Sequence, residues 1–166
     1  MKRLILVLPL IAAACTTAPA PPPKVKAPKA MPVPLVVPPT PPAPTDWRDR
    51  PYAAGSWHYA DRIATYGAAG APSLLVMRCD AARRLVILSV PGAVPAITLR
   101  TSYGEHIWPA QPGADGRSEM SFAAADPALD QIAFSRGRFS LSGPGLPEID
   151  IPAWAEPSRV IEDCRG

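Results

Sequence analysis

The chain has 166 residues, 24 of them proline, and a formal net charge of +3. That charge is uneven: all the lysines lie before residue 30, while from Asp46 onward twelve arginines face fourteen acids, a balance of −2. This excludes the clustered basic face of a nucleic-acid binder, and no apolar run approaches the roughly 20 residues that span a bilayer.

Met1-Lys2-Arg3 precedes an apolar run from Leu4 to Ala14, the layout of a secretory signal. Pro9 and the prolines beyond Cys15 argue against a longer helix. Leu10-Ile11-Ala12-Ala13-Ala14-Cys15, small residues ending in a cysteine, resembles a bacterial lipoprotein signal, with Ala12 standing where leucine is usual. The resemblance implies cleavage after residue 14 and a lipid on Cys15. Thr16 in place of an aspartate further implies an outer-membrane lipoprotein facing the periplasm. The alternative is a plain signal peptide that leaves Cys15 as a free thiol. An exposed thiol in an oxidising compartment is a liability, which favours the lipid.

Residues 15–45 hold half of the prolines. Proline fixes φ and removes a donor, so neither helix nor sheet is expected here. A disordered, polyproline II-rich tether fits, and thirty residues would reach about 90 Å if fully extended. Its lysines keep it soluble.

Residues 46–166 are then one globular domain. Gly55–Tyr59 alternates as a strand with Trp57 and Tyr59 on one face, and Ile63–Tyr66 is its hairpin partner. Gly67–Pro72 is a loop. It lacks both G-x-G-x-x-G and a Lys-Ser/Thr follower, so no phosphate cradle and no cofactor is implied. Ser73–Cys79 and Arg83–Val90 form an apolar central hairpin. Ala96–Ser102 and Glu105–Trp108 flank the turn at Tyr103-Gly104, a Gly/Pro/Asp loop runs from Pro109 to Arg117, and Glu119–Ala123 alternates again. Asp126-Pro127 has N-cap chemistry, and Leu129, Ile132 and Ala133 form one stripe, predicting a helix over 127–135 that Gly137 stops. Arg138–Ser142 and Pro147–Ile151 make a last hairpin. Pro157 opens a second helix with Val160, Ile161 and Cys164 on one face. The fold class is mainly β, a β-sandwich or half-open barrel of about eight strands with two short helices.

With Cys15 lipidated, Cys79 and Cys164 remain as an even pair in an exported protein, which argues for a disulfide. It would close a loop of about 86 residues, worth roughly 4–5 kcal/mol in the chain-entropy model. A metal site needs three or four ligands with local spacing, and only His58 and His106 could join the thiols.

The early Trp, the strand ending in Cys and the final Cys after a last helix are similar to secreted proteobacterial sandwich domains of the invasion-associated locus B and type VI secretion-accessory type. Ile132–Phe139 and Arg159–Arg165 resemble uncharacterised proline-rich lipoproteins of sphingomonad type, which imply no activity.

Candidate chemistry is sparse. There is no G-x-S-x-G nucleophile elbow, and a Ser/His/Asp set would have to be built in space around His58 or His106. Asp126/Asp130 and Glu162/Asp163 would act as acid and base only in a cleft. Arg136 and Arg138 flank Gly137, where they would hold an anion or complement a helix C-terminus. The leading binding candidate is Arg100, Tyr103, His106 and Trp108, a cation, two aromatics and a titratable ring around one turn. The expectation is a non-enzymatic envelope lipoprotein, membrane-held by its lipid, that binds a protein or cell-wall partner. A small periplasmic hydrolase or an enzyme inhibitor is the alternative.

Overall fold

The computed structural model describes residues 46–166, together with Ala20. The signal, Cys15 and the tether therefore lie outside the described residues, Ala20 apart. In chain order the strands are β1 (Ser56–Ala60), β2 (Ile63–Gly67), β3 (Leu75–Asp80), β4 (Leu85–Val90), β5 (Ala96–Thr101) and β6 (Gly104–Pro109). They continue as β7 (Gln111–Pro112), β8 (Ser118–Ala123), β9 (Arg138–Gly143) and β10 (Leu146–Pro152). Two helices are α1 (Pro127–Ala133) and α2 (Ala155–Arg165).

The strands form two antiparallel sheets, ordered β1-β2-β3-β4-β8-β7 and β10-β9-β5-β6. The expected mainly-β sandwich is what the chain builds. The described residues form ten strands rather than about eight, partly because Gln111–Pro112, inside the expected loop, pairs with Glu119 and Ser118. Strand alternation decides what is buried. In the first sheet the register puts Trp57, Tyr66, Met77, Leu88 and Phe122 on the inner face. In the second, Ile97, Leu99, Phe139, Leu141 and Ile151 face them.

Aromatic pairs join the layers at two points. Trp57 lies 6.5 Å from Phe139, and Trp108 lies 5.2 Å from Phe122, edge to face. The Trp57 indole N–H donates to the Pro152 carbonyl at 2.8 Å, which removes the cost of burying it.

The first sheet is the wider, and α2 packs on β1 to β4 of it. Val160, Ile161 and Cys164 are its buried side. Cys164 bonds Cys79 at the end of β3, with Cα atoms 5.3 Å apart. The helix begins two residues before Pro157, which is tolerated in a first turn because its missing N–H has no helical acceptor there. Its far end is held twice by Arg165, which donates to the Ala124 carbonyl at 2.9 Å and pairs with Asp130 of α1 at 2.9 Å. The Tyr59 hydroxyl donates to Asp163, fixing α2 to β1.

α1 starts as expected: the Asp126 carboxylate accepts from the Ala128 N–H at 2.9 Å. It ends at Ala133, two residues early, with Phe134 as C-cap.

Candidate functional site

Two concave surfaces gather polar side chains on the second sheet. One lies on its outer face, where the segment entering the domain crosses. Arg138 donates to the carbonyls of Trp47 and Arg50 and stacks over the Tyr52 ring at 4.3 Å, and Tyr52 Oη donates to the Gly137 carbonyl at 3.1 Å. The segment is pinned further when Ala53 N–H donates to the Asp150 carbonyl at 2.9 Å. Asp46, Trp47, Arg48, Arg50 and Arg100 line the resulting cleft of about 400 Å³.

Three guanidiniums and an indole look like an anion site, but their charges are already used. Arg50 binds Glu148 and Asp150, Arg100 binds Glu105 and Glu148, and Arg48 binds Asp46. Hydrogen bonding to Glu148 first, then to Asp150, holds the Arg50 guanidinium charged well above its ordinary range. Asp150 is buried and also accepts from the Ser140 hydroxyl. This is a charge network that fastens residues 46–53 to β9 and β10.

The other surface lies at the β6 edge. His106, Trp108, Asp126, Pro127, Ala128 and Gln131 line a cleft of about 200 Å³. Trp108 is half-buried and meets two rings edge to face, His106 at 5.5 Å and Phe122 at 5.2 Å. Gln131 Oε1 is buried with no hydrogen-bond partner.

The expected quartet is therefore divided. The register pairs Arg100 with Glu105 and Leu99 with His106. The pleat then sends Arg100 to the outer face, while His106 and Trp108 share the inner one. Tyr103 stands at the turn between them, 61% exposed. Only His106 and Trp108 come together in one cleft; Arg100 belongs to the outer network.

Most of the other carboxylates have structural partners, and Glu162 is exposed. Asp126 caps α1, Asp130 pairs with Arg165 and Asp163 accepts from Tyr59. Arg138 is spent on backbone carbonyls, so it forms no anion clamp with exposed Arg136. His58 points outward from β1 in the first sheet and His106 sits on an edge of the second, so the imidazoles do not share a site. Among the described residues no group of three His, Cys, Asp or Glu side chains could hold a metal ion.

Gln131 carried no signal in the sequence because it lies off the apolar stripe of α1. Arg50 and Asp150 meet across 100 residues, a pairing that local pattern does not encode. No family model matches the chain, and comparison with curated proteins and with solved structures likewise found no match.

Proposed function

We propose that this chain is a lipid-anchored protein of the bacterial cell envelope, acylated at Cys15 and held by the outer membrane, whose sandwich domain binds an envelope or cell-wall partner without catalysing a reaction. The observation that carries the reading is the disulfide between Cys79 and Cys164, separated by 85 residues. Such bridges persist in oxidising compartments, and this one leaves Cys15 as the single remaining cysteine, at the place where a lipoprotein signal would put it. Supporting the absence of catalysis, the carboxylates Asp126, Asp130 and Asp163 and the cations Arg50, Arg100 and Arg138 are already engaged by neighbours, whereas acid–base chemistry needs a group free to exchange a proton with a bound substrate.

The test is intact-mass and peptide mass spectrometry of the protein isolated from a Gram-negative envelope. The expected product begins at a diacylglyceryl-modified Cys15, contains no alkylatable thiol before reduction, and yields two after it. Cys15→Ser should move the protein from the detergent phase to the aqueous phase. An unmodified Cys15, or free Cys79 and Cys164 thiols in the native protein, would overturn the reading.

A further inference from the structure

We infer that one end of the sandwich, the rim around residues 134–137, is a docking surface for an anionic lipid bilayer. Among the described residues six large apolar or aromatic side chains are exposed, and four of them border this one loop. Phe134, 67% exposed, belongs to it. Ser102, the neighbour of Tyr103, is bound to it twice: its N–H donates to Ser135 Oγ at 2.9 Å, and its hydroxyl accepts from the Arg136 N–H at 3.0 Å. The N–H of Ala153, the neighbour of Trp154, donates to the Gly137 carbonyl at 3.1 Å, and Tyr52 Oη donates to the same oxygen. Tyr52, Tyr103, Phe134 and Trp154 therefore project from four stretches of chain that these hydrogen bonds hold side by side.

The charge left over on this rim is positive. Arg136 is exposed, and Arg138 gives its N–H groups to the neutral carbonyls of Trp47 and Arg50. Neither enters an ion pair among the described residues. The flanking acids are occupied or turned in: Glu105 pairs with Arg100, Asp130 pairs with Arg165, and Glu156 beside Trp154 has a buried carboxylate oxygen.

Tryptophan and tyrosine rings with an apolar body and a polar tip settle at the headgroup level of a bilayer, and nearby arginines draw anionic lipids. The hot spots of a protein interface sit in well-packed pockets. The four rings line neither of the clefts described above; they stand out from the surface, which suits a fluid interface that moulds around them. The path of the chain points the same way. Arg138 holds the Trp47 and Arg50 carbonyls, so the chain enters the domain beside this rim. Upstream it leads back to the apolar run Leu4–Ala14 and to Cys15. On the envelope reading above, on which this last point rests, the membrane lies within tether's reach, and linkage raises its effective concentration at the rim.

The test uses the exported Cys15→Ser chain, which carries no lipid, so that any membrane affinity belongs to the polypeptide. It is sedimented with vesicles of phosphatidylethanolamine containing roughly 30% phosphatidylglycerol. Half of it should be bound at a lipid concentration on the order of 1 mM. Arg136→Ala should weaken binding about fivefold. Phe134→Ser combined with Trp154→Ser should weaken it about tenfold or more, while Ile107→Ser, equally exposed but on β6 away from the rim, should leave it unchanged. Lipids brominated in the acyl chain should quench part of the tryptophan emission, and Trp154→Phe should bind as the parent does yet lose that part. Urea midpoints confirm that each variant folds. No binding at about 5 mM lipid would overturn the inference. So would undiminished binding in the Phe134/Trp154 variant, which would assign the affinity to Lys24, Lys26 and Lys29, or an equal loss in Ile107→Ser. A chain dimer in solution that the Phe134/Trp154 variant abolishes would give the rim to a second copy instead. The mass of Cys15 in the parent is read separately, so failure of this surface and failure of the lipid-anchored reading are distinct outcomes.

Discussion

Tyr66 sits in the core of the first sheet with its ring 5.2 Å from Trp57 and its hydroxyl donating to the Ala53 carbonyl at 2.7 Å. It therefore ties the segment entering the domain to the sandwich. Burial pushes its hydroxyl pKa above the usual tyrosine value of about 10. The folded state thus holds the proton more tightly than the unfolded chain does. Its stabilising effect is complete below the unfolded pKa and is lost as pH rises through the folded one. Tyr66→Phe should cost about 1–2 kcal/mol at pH 7, because the Ala53 carbonyl loses its donor. The variant should also lose less stability than the parent as pH rises past about 10. Urea unfolding across that range checks both, and parallel pH curves for the two proteins would refute the assignment.

Arg117 shows the same economy with a cation. Its guanidinium donates to Ser89 Oγ at 2.8 Å, to the Ser89 carbonyl at 2.6 Å and to the Ser73 carbonyl at 2.9 Å. Burial is the main influence on it and lowers its pKa, and Glu119 and Asp115 work in the opposite direction. It acts as a clasp that joins the loop before β3 to β4.

At the scale of elements, alternation made most of the strands legible. Trp57 with Tyr59, Ile97 with Leu99, and Met120 with Phe122 each fall on one buried face because a pleat repeats every two residues. The same rule, carried through the β5–β6 register, separates Arg100 from His106. The quartet looked coherent only while it was read as a turn, so that part of the site was recoverable from the chain. The outer network was not, since Arg50 reaches Glu148 and Asp150 through tertiary contact alone. β7 was hidden by its brevity and by Pro112, which ends a strand of two residues.

One local feature runs against propensity. The β1–β2 hairpin turns through Asp61 and Arg62, both left-handed at φ 50° and 65°. This satisfies the twist of a two-residue hairpin, yet a non-glycine residue carries a cost of roughly 1 kcal/mol there. Arg62→Gly should raise stability by about 0.5–1 kcal/mol in equilibrium unfolding. A loss instead would mean that the Arg62 side chain holds the turn.

The α2 helix depends on its staple as well as its apolar face. Cys79→Ser should lower stability by about 2–5 kcal/mol, the usual effect of removing a bridge that closes a long loop. Reductant should bring the parent to the same midpoint and leave the variant unmoved. Equal midpoints for the parent with and without reductant would show that packing of Val160 and Ile161 suffices to dock the helix.

The whole molecule divides its work by composition. Among the described residues, every buried residue of the hydrophobic core lies between Trp57 and Cys164. The stability of the sandwich should therefore be a property of the domain alone. A fragment of residues 46–166, exported so that its disulfide forms, should unfold in one cooperative transition, as single domains of this size do. It retains the core, both sheets, the Arg50–Glu148–Asp150 network and the staple. Its melting midpoint should match that of a fragment of residues 16–166 within about 2 °C, less than a 1 kcal/mol change produces in a domain this small. A fragment that melts about 5 °C or more below residues 16–166 would show that the proline-rich segment contributes binding energy to the sandwich. The segment would then be a structural part of the domain rather than the spacer its composition describes, and the reach argued for it from polyproline II geometry would no longer hold.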